Sequence, residues 1–377
     1  MRLENKHIFV ISSADKFCFL NLDALIHKCG ILPSNLAVIV FPIQGQPLSE
    51  LLKIDNVDYY EFDDVTLEEI KLAQTITFMS LNRFNSPYAR KIIEFDEGMA
   101  RKSYIFITDD EVDRWNQCHS KFGKLVPYKK LHIVEDDIVC LNRINNFIAD
   151  RSTFESTLQR TLNRKKVNFI NASVIFDTLP YNASKSLESA FNCSDQHYER
   201  EAKVLLGTKQ HALSYSELRE VVNGFVKAEN AERYKFLILW NKKRRKERVM
   251  FDLYITYLRH IKRQTIDVSY VTALSPIAYT SLILSCSHMV LQRRGGASTA
   301  RLFLKRGRGM VYTLENSEND FGFRKALGIK TKSFTSFSDI GKLVSNLNDD
   351  ADIEHNIKIC ESVEQRDVSN LQKLYSN

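Results

Sequence analysis

The feature that most constrains the fold is an alternation of short apolar runs with longer stretches of helical pattern. The runs are rich in β-branched and aromatic residues, as in HIFVIS and LAVIVFP, and such runs predict buried strands. The stretches between them carry helix signals, such as the acidic start and glycine end of DEVDRWNQCHSKFG. The predicted strands of the first half are 7–12, 36–42, 75–81, 103–108 and 131–136, and its predicted helices include 20–30, 85–95 and 110–123. This alternation indicates βα units and a largely parallel sheet with helices on both faces.

The same alternation starts again in the second half, after a polar stretch. Residues 183–200 show no clear apolar period, and we expect an interdomain linker there. Beyond it, strands are predicted at 203–207, 234–240, 266–272, 288–292 and 309–314, with helices at 214–227 and 299–307 and a terminal helix in 368–377. The strand at 234–240 is apolar except for Lys235, which is typical of an interior strand of a parallel sheet.

One further predicted helix has an apolar side that we expect to face the core. Its apolar residues recur at helical spacing and define one amphipathic face. They are Val249, Met250, Leu253, Tyr254, Tyr257, Leu258 and Ile261.

The order of these elements predicts an α/β fold with two Rossmann-like domains in tandem and a cleft between them. We expect domains at 1–190 and 200–350, followed by a helical tail at 351–377. Ligands of open α/β sheets bind at the carboxyl ends of the strands, which would line such a cleft. This is the architecture of GT-B glycosyltransferases, and also of sugar-nucleotide 2-epimerases.

Composition and charge restrict the class of protein further. With 44% apolar and 26% charged residues in 377, the chain suits a globular protein with sizeable cores. Its N-terminal apolar run is too short for a signal peptide, and no segment approaches the roughly 20 apolar residues that span a bilayer. We therefore expect a cytoplasmic protein. The net charge of +7 indicates an acidic partner, either phosphate groups, anionic lipid or nucleic acid.

The seven cysteines are widely spaced and never form a CxxC pair. This usage indicates reduced, mostly buried thiols. A second ligand pair at zinc spacing accompanies none of them, which argues against a structural zinc site.

A basic, glycine-rich turn is the strongest candidate site. It lies in LQRRGGASTARLFLKRGRG, residues 291–309, between a predicted strand and a predicted helix. Glycines let the backbone approach a pyrophosphate, arginines neutralise it, and hydroxyls and helix N-terminal amides donate to it. The residues that supply these groups are Arg293, Arg294, Gly295, Gly296, Ser298 and Thr299. The local pattern fits an ordinary strand–helix turn equally well, since it is neither GxGxxG nor a P-loop.

The block around this turn, residues 279–316, resembles the donor-binding region of the bacterial 4-N-acetylfucosaminyltransferases. The matching positions are Tyr279, Leu282, Cys286, Arg293, Gly296, Thr299, Gly307, Glu315 and Asn316. The resemblance implies a GT-B enzyme that transfers a sugar from TDP-N-acetylfucosamine to a polyprenyl-diphosphate-linked acceptor (lipid II) in enterobacterial common antigen synthesis. Outside this block the resemblance is architectural only.

The resemblance also implies that the N-terminal domain binds the acceptor and the C-terminal domain binds the nucleotide sugar. It adds Thr208, Glu315 and Asn316 to the expected donor-binding residues. Thr208 and Lys209 stand where the family has asparagine and serine, and Ser298 stands where it has glycine. The donor therefore stays open among UDP-, TDP-, GDP- and CMP-linked sugars.

The residue at position 302 bears on whether the reaction retains or inverts the configuration at the anomeric carbon. Many retaining GT-B enzymes carry a glutamate on the helix after this turn, where the present chain has Leu302. We therefore expect inversion at the anomeric carbon, which the resembled family also implies.

An inverting transferase needs a base for the proton of the acceptor hydroxyl, and an acidic cluster supplies candidates. Asp109, Asp110 and Glu111 follow the predicted strand 103–108, a position where acidic residues are more often helix caps. We favour Asp110, because the resembled family has an aspartate near the corresponding strand end and neighbouring carboxylates raise one another's pKa. The alternatives are Glu97, Asp136 and Asp137. Since no DxD pair follows a strand, we expect neither a metal nor another cofactor.

The strongest basic run is WNKKRRKER, residues 240–248. It has three interpretations: a solvated loop and helix start, a contact with a donor or acceptor diphosphate, or a contact with anionic lipid headgroups. The last would place the protein peripherally on the inner face of the cell membrane and would fit a polyprenyl-linked acceptor.

Two other functions compete with sugar transfer in bacterial surface polysaccharide synthesis. A GT-B-fold epimerase needs catalytic acids and a histidine around the donor sugar, which the sequence does not show clearly. A nucleic-acid-binding protein would use the basic run, but helix-turn-helix, RRM and KH signatures are absent and we expect no nucleic-acid partner. We therefore predict a glycosyltransferase with a nucleotide sugar and a glycan or lipid-linked acceptor as its partners.

Overall fold

The chain forms two compact units in a computed structural model. The structure describes residues 2–43, 51–108, 110–173, 175–194, 202–241, 243, 245–272, 274–345 and 350–376, without the side chains of 192–194 and 345. Met1–Phe176 together with Glu364–Asn377 make the first unit, and Asp177–Val363 make the second. Each unit is built on one parallel β-sheet.

The sheet of the first unit has a strand order that reverses at its centre. Its described strands are β1 (His7–Ser12), β2 (Leu36–Phe41), β3 (Asp58–Glu61), β4 (Thr75–Met79), β5 (Ser103–Phe106), β6 (Asn146–Ala149) and β7 (Asn168–Asn171). They lie in the order β3-β2-β1-β4-β5-β6-β7, and each neighbouring pair is parallel. The chain builds outward from β1 in both directions, so the switch point lies between β1 and β4.

The helices of the first unit connect these parallel strands. They are α1 (Cys18–His27), α2 (Leu67–Lys71), α3 (Ser86–Phe95), α4 (Glu97–Arg101), α5 (Asp110–Phe122), α6 (Glu135–Arg143) and α7 (Arg151–Thr161). Local sequence marks several of their starts. Thr66 caps α2 by accepting the backbone N–H of Glu69, and Asp150 caps α7 by accepting that of Thr153.

The sheet of the second unit repeats the same order. Its described strands are β8 (Lys203–Leu206), β9 (Lys235–Leu239), β10 (Asp267–Val271), β11 (His288–Val290), β12 (Met310–Leu314) and β13 (Lys332–Phe334). They lie in the order β10-β9-β8-β11-β12-β13 and are all parallel, with the switch point between β8 and β11. β9 pairs on both sides, which confirms the interior position predicted for 234–240.

The helices of the second unit follow the same pattern. They are α8 (Tyr181–Ser194), α9 (Tyr215–Lys227), α10 (Arg245–His260), α11 (Pro276–Ser285), α12 (Ala297–Lys305), α13 (Glu318–Asp320), α14 (Ile340–Ser345) and α15 (Asp350–Tyr375). Ser214 begins α9 with a capping box to Glu217. α15 begins in the second unit, and its last residues belong to the first.

Each sheet is buried on both faces, because successive side chains of a strand point to opposite sides. In β1, Ile8 and Val10 pack in one hydrophobic cluster, whereas Phe9 and Ile11 pack in another. Burying each such side chain stabilises the folded state by roughly 1.5–3 kcal/mol. The near-continuous apolar runs that predicted these strands are therefore what the two-sided packing requires.

The sequence predicts nine of the thirteen described strands and misses four short ones. β3, β6, β7 and β13 have only three or four residues each, and their sequences did not stand out as strands. The strand expected at 131–136 is wrong, because Glu135 and Asp136 form the first turn of α6 and Asp137 accepts the backbone N–H of Val134. Part of the expected linker at 183–200 is helical, as α8, and residues 195–200 lie outside the described part.

The buried face of α10 differs from the predicted one. Phe251, Ile255 and Leu258 are buried in the core of the second unit. Of the seven residues expected to face the core, Leu258 is buried and Tyr254 is half-buried. The other five, Val249, Met250, Leu253, Tyr257 and Ile261, are exposed. The periodic pattern continues round the helix, so spacing alone did not show which side meets the sheet.

The end of α15 completes the core of the first unit. Tyr375 is buried against the rings of His7 and Phe9, and its hydroxyl lies 2.9 Å from the Thr77 Oγ1. Lys28, directly after α1, donates to Glu364 at 2.7 Å. The terminal helix predicted from the sequence is thus part of a fold unit that begins at the other end of the chain.

Two features of the described part of the chain are the burial of its cysteines and the apolar character of its helices. The six cysteines whose side chains the structure describes are all buried, as the sequence predicts. Among the described helices, none has the length and apolar character needed to cross a membrane.

Candidate functional site

Three loops of the second unit meet at the carboxyl end of its sheet. They follow β8, β11 and β12 and contain residues 207–209, 291–296 and 315–317. The strand order reverses between β8 and β11. Open α/β sheets bind ligands at such a switch point, because the connections leave the sheet toward opposite faces there. The loop after β11 is the basic, glycine-rich turn that the sequence singled out.

The side-chain amide of Gln292 joins the first two loops. Its Oε1 accepts the backbone N–H of Thr208 at 3.2 Å, and its Nε2 donates to the Thr208 Oγ1 at 3.0 Å and to the Gly295 carbonyl at 2.7 Å. Gln292 and Thr208 are both buried. A buried polar group that loses its partner costs about 1–3 kcal/mol, so the amide holds the turn firmly against the end of β8.

Asn319 attaches the third loop to the same turn. Its Nδ2 donates to the carbonyls of Gln292 at 2.7 Å and Gly295 at 3.0 Å, and its backbone N–H donates to the Arg293 carbonyl at 3.2 Å. Asn319 is buried and lies in α13, which Ser317 caps. The carbonyl groups of the turn are thus bound inside the protein, by two amide side chains from different loops.

Tyr279 of α11 supports the site from another direction. Its hydroxyl donates to the Thr208 carbonyl at 2.6 Å and lies 3.1 Å from the Thr299 Oγ1. Burial raises the pKa of Tyr279, so its hydroxyl remains a donor at neutral pH. One side chain therefore links the loop after β8 to the first turn of α12.

The two glycines of the turn are required by its geometry. Gly295 and Gly296 have φ of +78° and +83°, in the left-handed region that side chains disfavour. A Cβ at position 296 would lie 2.1 Å from the Thr208 Oγ1 and 2.8 Å from the Gln292 Nε2. Glycine at 296 therefore lets the turn pack directly on Thr208.

The start of α12 presents an anion-binding arrangement. Gly296 is its N-cap, and no described side chain caps the helix. The amides of Ala297, Ser298 and Thr299 stand in the first turn, where helical amides have no partner within the helix. Together with the positive end of the helix dipole they suit a phosphate group.

Ser298 and Thr299 do not cap α12. The helix starts at Ala297, so both hydroxyls belong to its first turn rather than to the cap. Thr299 is buried beside Tyr279, whereas Ser298 is exposed. The left-handed conformation of Gly296 begins the helix without a side-chain acceptor.

Basic side chains surround the turn. Arg293 lies 3.5 Å from Glu217 of α9, and Arg294 lies 3.0 Å from Glu318 of α13. Each pair has one largely exposed member, and exposed ion pairs contribute about 0–1 kcal/mol, so a diphosphate can replace the carboxylates at little cost. The Lys209 Nζ is 3.4 Å from where a Cβ of residue 295 would stand, which adds a third cation.

Glu315 and Asn316 follow β12 directly, and their side chains are exposed. Asn316 has φ of +60°, and its backbone N–H donates to Asp320 at 3.2 Å. Burial opposes ionisation of Asp320, but hydrogen bonds from Ser333 and this amide, with the charge of Arg324, lower its pKa. The buried carboxylate fixes the backbone from which Glu315 and Asn316 project.

The structure thus brings the predicted donor-binding residues of three separate loops to one sheet edge. Sequence reasoning missed Gln292 and Asn319, which hold the loops together. A polar residue at the end of the apolar run HMVLQ was a weak signal for Gln292. No local pattern marked Asn319, because its partners lie more than twenty residues away.

The predicted acidic cluster lies in the first unit, after β5. Asp110 is the first residue of α5 and is exposed, while Asp109 lies outside the described residues. Glu111 is fully buried and accepts the backbone N–H and the Oγ1–H of Thr108, at 2.7 and 2.9 Å. Burial, rather than a neighbouring carboxylate, raises the pKa of Glu111. Its carboxyl group holds the loop from which Asp110 projects.

The alternative acids have structural partners or the wrong location. Glu97 lies in α4, next to the amino end of β5 and so away from the carboxyl ends of the strands. Asp136 pairs with Arg90 at 2.9 Å, and Asp137 is buried at the start of α6. Among the described residues, no group of three or more His, Cys, Asp or Glu side chains is arranged to hold a metal ion.

The chain has the GT-B fold, with two Rossmann-like units, and it shares this fold with a group of solved enzyme structures. No protein-family model and no curated protein matches the chain. Among solved structures, a UDP-forming α,α-trehalose-phosphate synthase of Burkholderia vietnamiensis superposes with a TM-score of 0.59 at 10% identity, over 99% of this chain and 97% of that one.

Two ligand-bound structures show the same likeness. A Burkholderia xenovorans synthase of the same kind, in complex with glucose-6-phosphate, has a TM-score of 0.57 at 9% identity, over 98% of each chain. A trehalose-6-phosphate protein of E. coli bound with UDP-2-fluoro glucose has a TM-score of 0.55 at 8% identity, over 98% of this chain and 97% of that one. At this identity the likeness is one of fold.

Proposed function

We propose that the protein is a GT-B glycosyltransferase that binds a nucleotide sugar at the loops after β8, β11 and β12. One observation carries the proposal: the N-terminus of α12, opened by two left-handed glycines and flanked by Arg293, Arg294 and Lys209, lies at the switch point of the second sheet. The full-length likeness to UDP-forming synthases supports it, because it relates the fold to proteins that use such donors.

Each group at the site has a role in this proposal. The amides of α12 and the guanidinium of Arg293 bind the pyrophosphate, and they stabilise the negative charge that grows on it as the glycosidic bond breaks. Glu315 and Asn316 contact the nucleoside or the sugar, as the resemblance to the fucosaminyltransferases implies. The turn is held in place by Thr208, Gln292 and Asn319. The amide and guanidinium groups that bind the pyrophosphate therefore need no reorganisation at the moment of reaction.

The reaction we propose is a single displacement with inversion. The acceptor oxygen forms a bond to the anomeric carbon, the bond from that carbon to the diphosphate oxygen breaks, and the acceptor proton passes to Asp110. α12 carries no acidic residue, and Leu302 is buried in the place of the glutamate of many retaining enzymes. The anomeric configuration of the product, read by NMR, tests this directly, and a retained configuration contradicts it.

The acceptor is a glycan or a polyprenyl-linked sugar of bacterial surface polysaccharide synthesis. This part of the proposal rests on the resemblance over 279–316. Sugar phosphates belong in the same acceptor panel, since one structure of this fold was solved with glucose-6-phosphate.

Thermal unfolding with UDP, TDP, GDP and CMP compounds tests the donor site. A nucleotide at a hundred times its Kd stabilises the folded state by about 2.7 kcal/mol. Arg293→Ala is expected to weaken binding about ten- to a hundredfold, because it removes a charged hydrogen bond. Arg233→Ala is the matched control, since Arg233 is exposed just before the amino end of β9, at the opposite edge of the sheet. If no nucleotide raises the Tm, or if Arg293→Ala binds like Arg233→Ala, the donor site is wrongly assigned.

The predicted base is tested separately. Asp110→Asn is expected to lower kcat about 10²–10⁴-fold while nucleotide binding stays unchanged. Asp109→Asn and Glu111→Gln, measured in parallel, show which of the three acids acts, and full activity of Asp110→Asn excludes it. Product analysis without an acceptor separates transfer from epimerisation, because only an epimerase changes the donor by itself.

A further inference from the structure

The exposed side of α10 is an apolar stripe. Val249, Met250, Leu253 and Tyr257 lie on the helix and Ile261 follows its end, and their side chains are between 44% and 68% exposed. Four of the five are spaced four residues apart, so they follow one side of the helix. Contiguous exposed apolar surface of this kind marks an interaction site in a folded protein.

The stripe is not needed for the core of its own unit. The opposite side of α10 is buried through Phe251, Ile255 and Leu258, which pack in the cluster under β8, β9 and β12. The helix therefore has two apolar faces, one that meets the sheet and one that the fold leaves uncovered.

The positive charge of the whole chain is concentrated in α10 and the residues directly before and after it. Residues 242–263 contain nine lysines and arginines against two acidic residues, a surplus of seven. This equals the net charge of the whole protein, so the rest of the chain is balanced. A helix with an exposed apolar side and basic residues at both ends is the pattern of an element that lies on a membrane surface.

The charges border the stripe at both of its ends. Lys243, Arg245 and Lys246 are exposed at the start of α10, and Lys262 and Arg263 are exposed just after its end. Arg248, in contrast, is held over the Tyr270 ring and lies 3.5 Å from Asp252. The exposed cations are therefore placed to contact phosphate headgroups while the apolar side chains enter the acyl boundary.

We propose that α10 docks the protein on an anionic lipid bilayer, with Val249, Met250, Leu253, Tyr257 and Ile261 inserted and the flanking basic residues on the headgroups. A second copy of the chain is a poorer occupant. A symmetric dimer through this stripe would bring two surpluses of seven positive charges together, whereas an anionic bilayer neutralises them.

The experiment is flotation of the full chain with vesicles of phosphatidylcholine and phosphatidylglycerol, compared with phosphatidylcholine alone. Binding to the anionic vesicles is expected. It weakens as the salt concentration rises from about 0.1 M to about 1 M, because the Debye length shortens and the attraction between the basic residues and the headgroups is screened. The double variant Leu253→Glu/Ile261→Glu is expected to lower the partition coefficient about tenfold or more, since insertion scales with buried apolar area. Leu32→Glu/Phe95→Glu, at exposed apolar positions of the first unit, adds the same charge and is expected to bind like the parent.

The outcomes separate this proposal from the proposed function. If vesicle binding falls equally in both double variants, the added negative charge alone explains the loss and the apolar side chains are not inserted. If the parent does not bind anionic vesicles, α10 is not a docking site. Either result overturns the proposal. A concentration-dependent dimer that Leu253→Glu/Ile261→Glu abolishes, without vesicle binding by the parent, assigns the stripe to a second copy instead. Nucleotide binding and thermal unfolding of the same variant are expected to be unchanged, because its side chains are exposed and belong to none of the three donor loops.

Discussion

Gly296 is the residue on which the shape of the proposed donor loop, residues 291–296, depends most directly. Gly296→Ala places a Cβ 2.1 Å from the Thr208 Oγ1 at a φ of +83°, so the turn must move away from β8. We expect nucleotide binding to fall about tenfold or more, because the amides of α12 lose their position relative to the other loops. Isothermal titration with the best nucleotide of the screen measures the change.

Gly328→Ala is the control for this substitution. Gly328 also has a positive φ, of +70°, but a Cβ there meets no atom within 4 Å. Both variants are therefore expected to lose about 1 kcal/mol of stability from backbone strain, and only Gly296→Ala to lose binding. Equal nucleotide affinities in the two variants would contradict the close packing of the turn on Thr208.

His288 makes the stability of the second unit depend on pH. Burial in β11 lowers its pKa from 6.5 to about 4. Between these values the unfolded chain binds a proton that the folded one does not, so stability is full above pH 6.5 and is lost as the pH falls toward 4. The expected loss is on the order of 3 kcal/mol.

Urea unfolding from pH 7 to pH 4 measures this dependence. His288→Asn does not titrate and keeps a polar group beside the Tyr312 hydroxyl, which lies 3.2 Å from the histidine. The variant is expected to lose less stability over this range than the parent does. Parallel pH profiles would show that His288 is not the group responsible.

At the scale of elements, the contact of α9 with α14 and the turn just before it depends on two glycines. A Cβ on Gly224 would lie 2.3 Å from the Ser338 carbonyl oxygen, and a Cβ on Gly341 would lie 2.3 Å from the Gly224 carbonyl oxygen. Gly224→Ala is therefore expected to destabilise the second unit by about 1–3 kcal/mol, although alanine is the better helix former. Chemical unfolding checks the value. Gly322→Ala, where a Cβ meets nothing within 4 Å, is expected to be nearly neutral.

The elements also show how far sequence reasoning reaches. β2 and β9 were predictable because a strand buried on both faces is apolar along nearly its whole length. β3 and β7, at the edges of their sheet, carry half-buried polar residues and leave no such run. The face of α10 was assigned wrongly because both of its sides are apolar, and periodicity gives the spacing of a face but not what covers it.

At the scale of the whole molecule, the two ends of the chain belong to one unit. Tyr375→Ala removes a fully buried ring from the first unit and is expected to cost about 3–5 kcal/mol, while Tyr375→Phe loses only the contact with Thr77, about 1 kcal/mol. Hydrogen exchange is expected to increase in β1 and β4 and to stay unchanged in β8 and β11. If the backbone amides of β1 and β4 in Tyr375→Ala stay as protected from exchange as those of β8 and β11, the terminal helix does not stabilise the first unit.

The sequence by itself determined the alternation of strands and helices, the two Rossmann-like repeats and the basic, glycine-rich turn after β11. These are local properties, since burial on two faces, helix starts and left-handed turns each leave a trace within a few residues. Only the tertiary structure decided that Thr208, Gln292 and Asn319 join three loops into one site, which side of α10 stays uncovered, and that Tyr375 packs beside β1. These depend on contacts between residues from 24 to 298 positions apart, for which no local pattern exists.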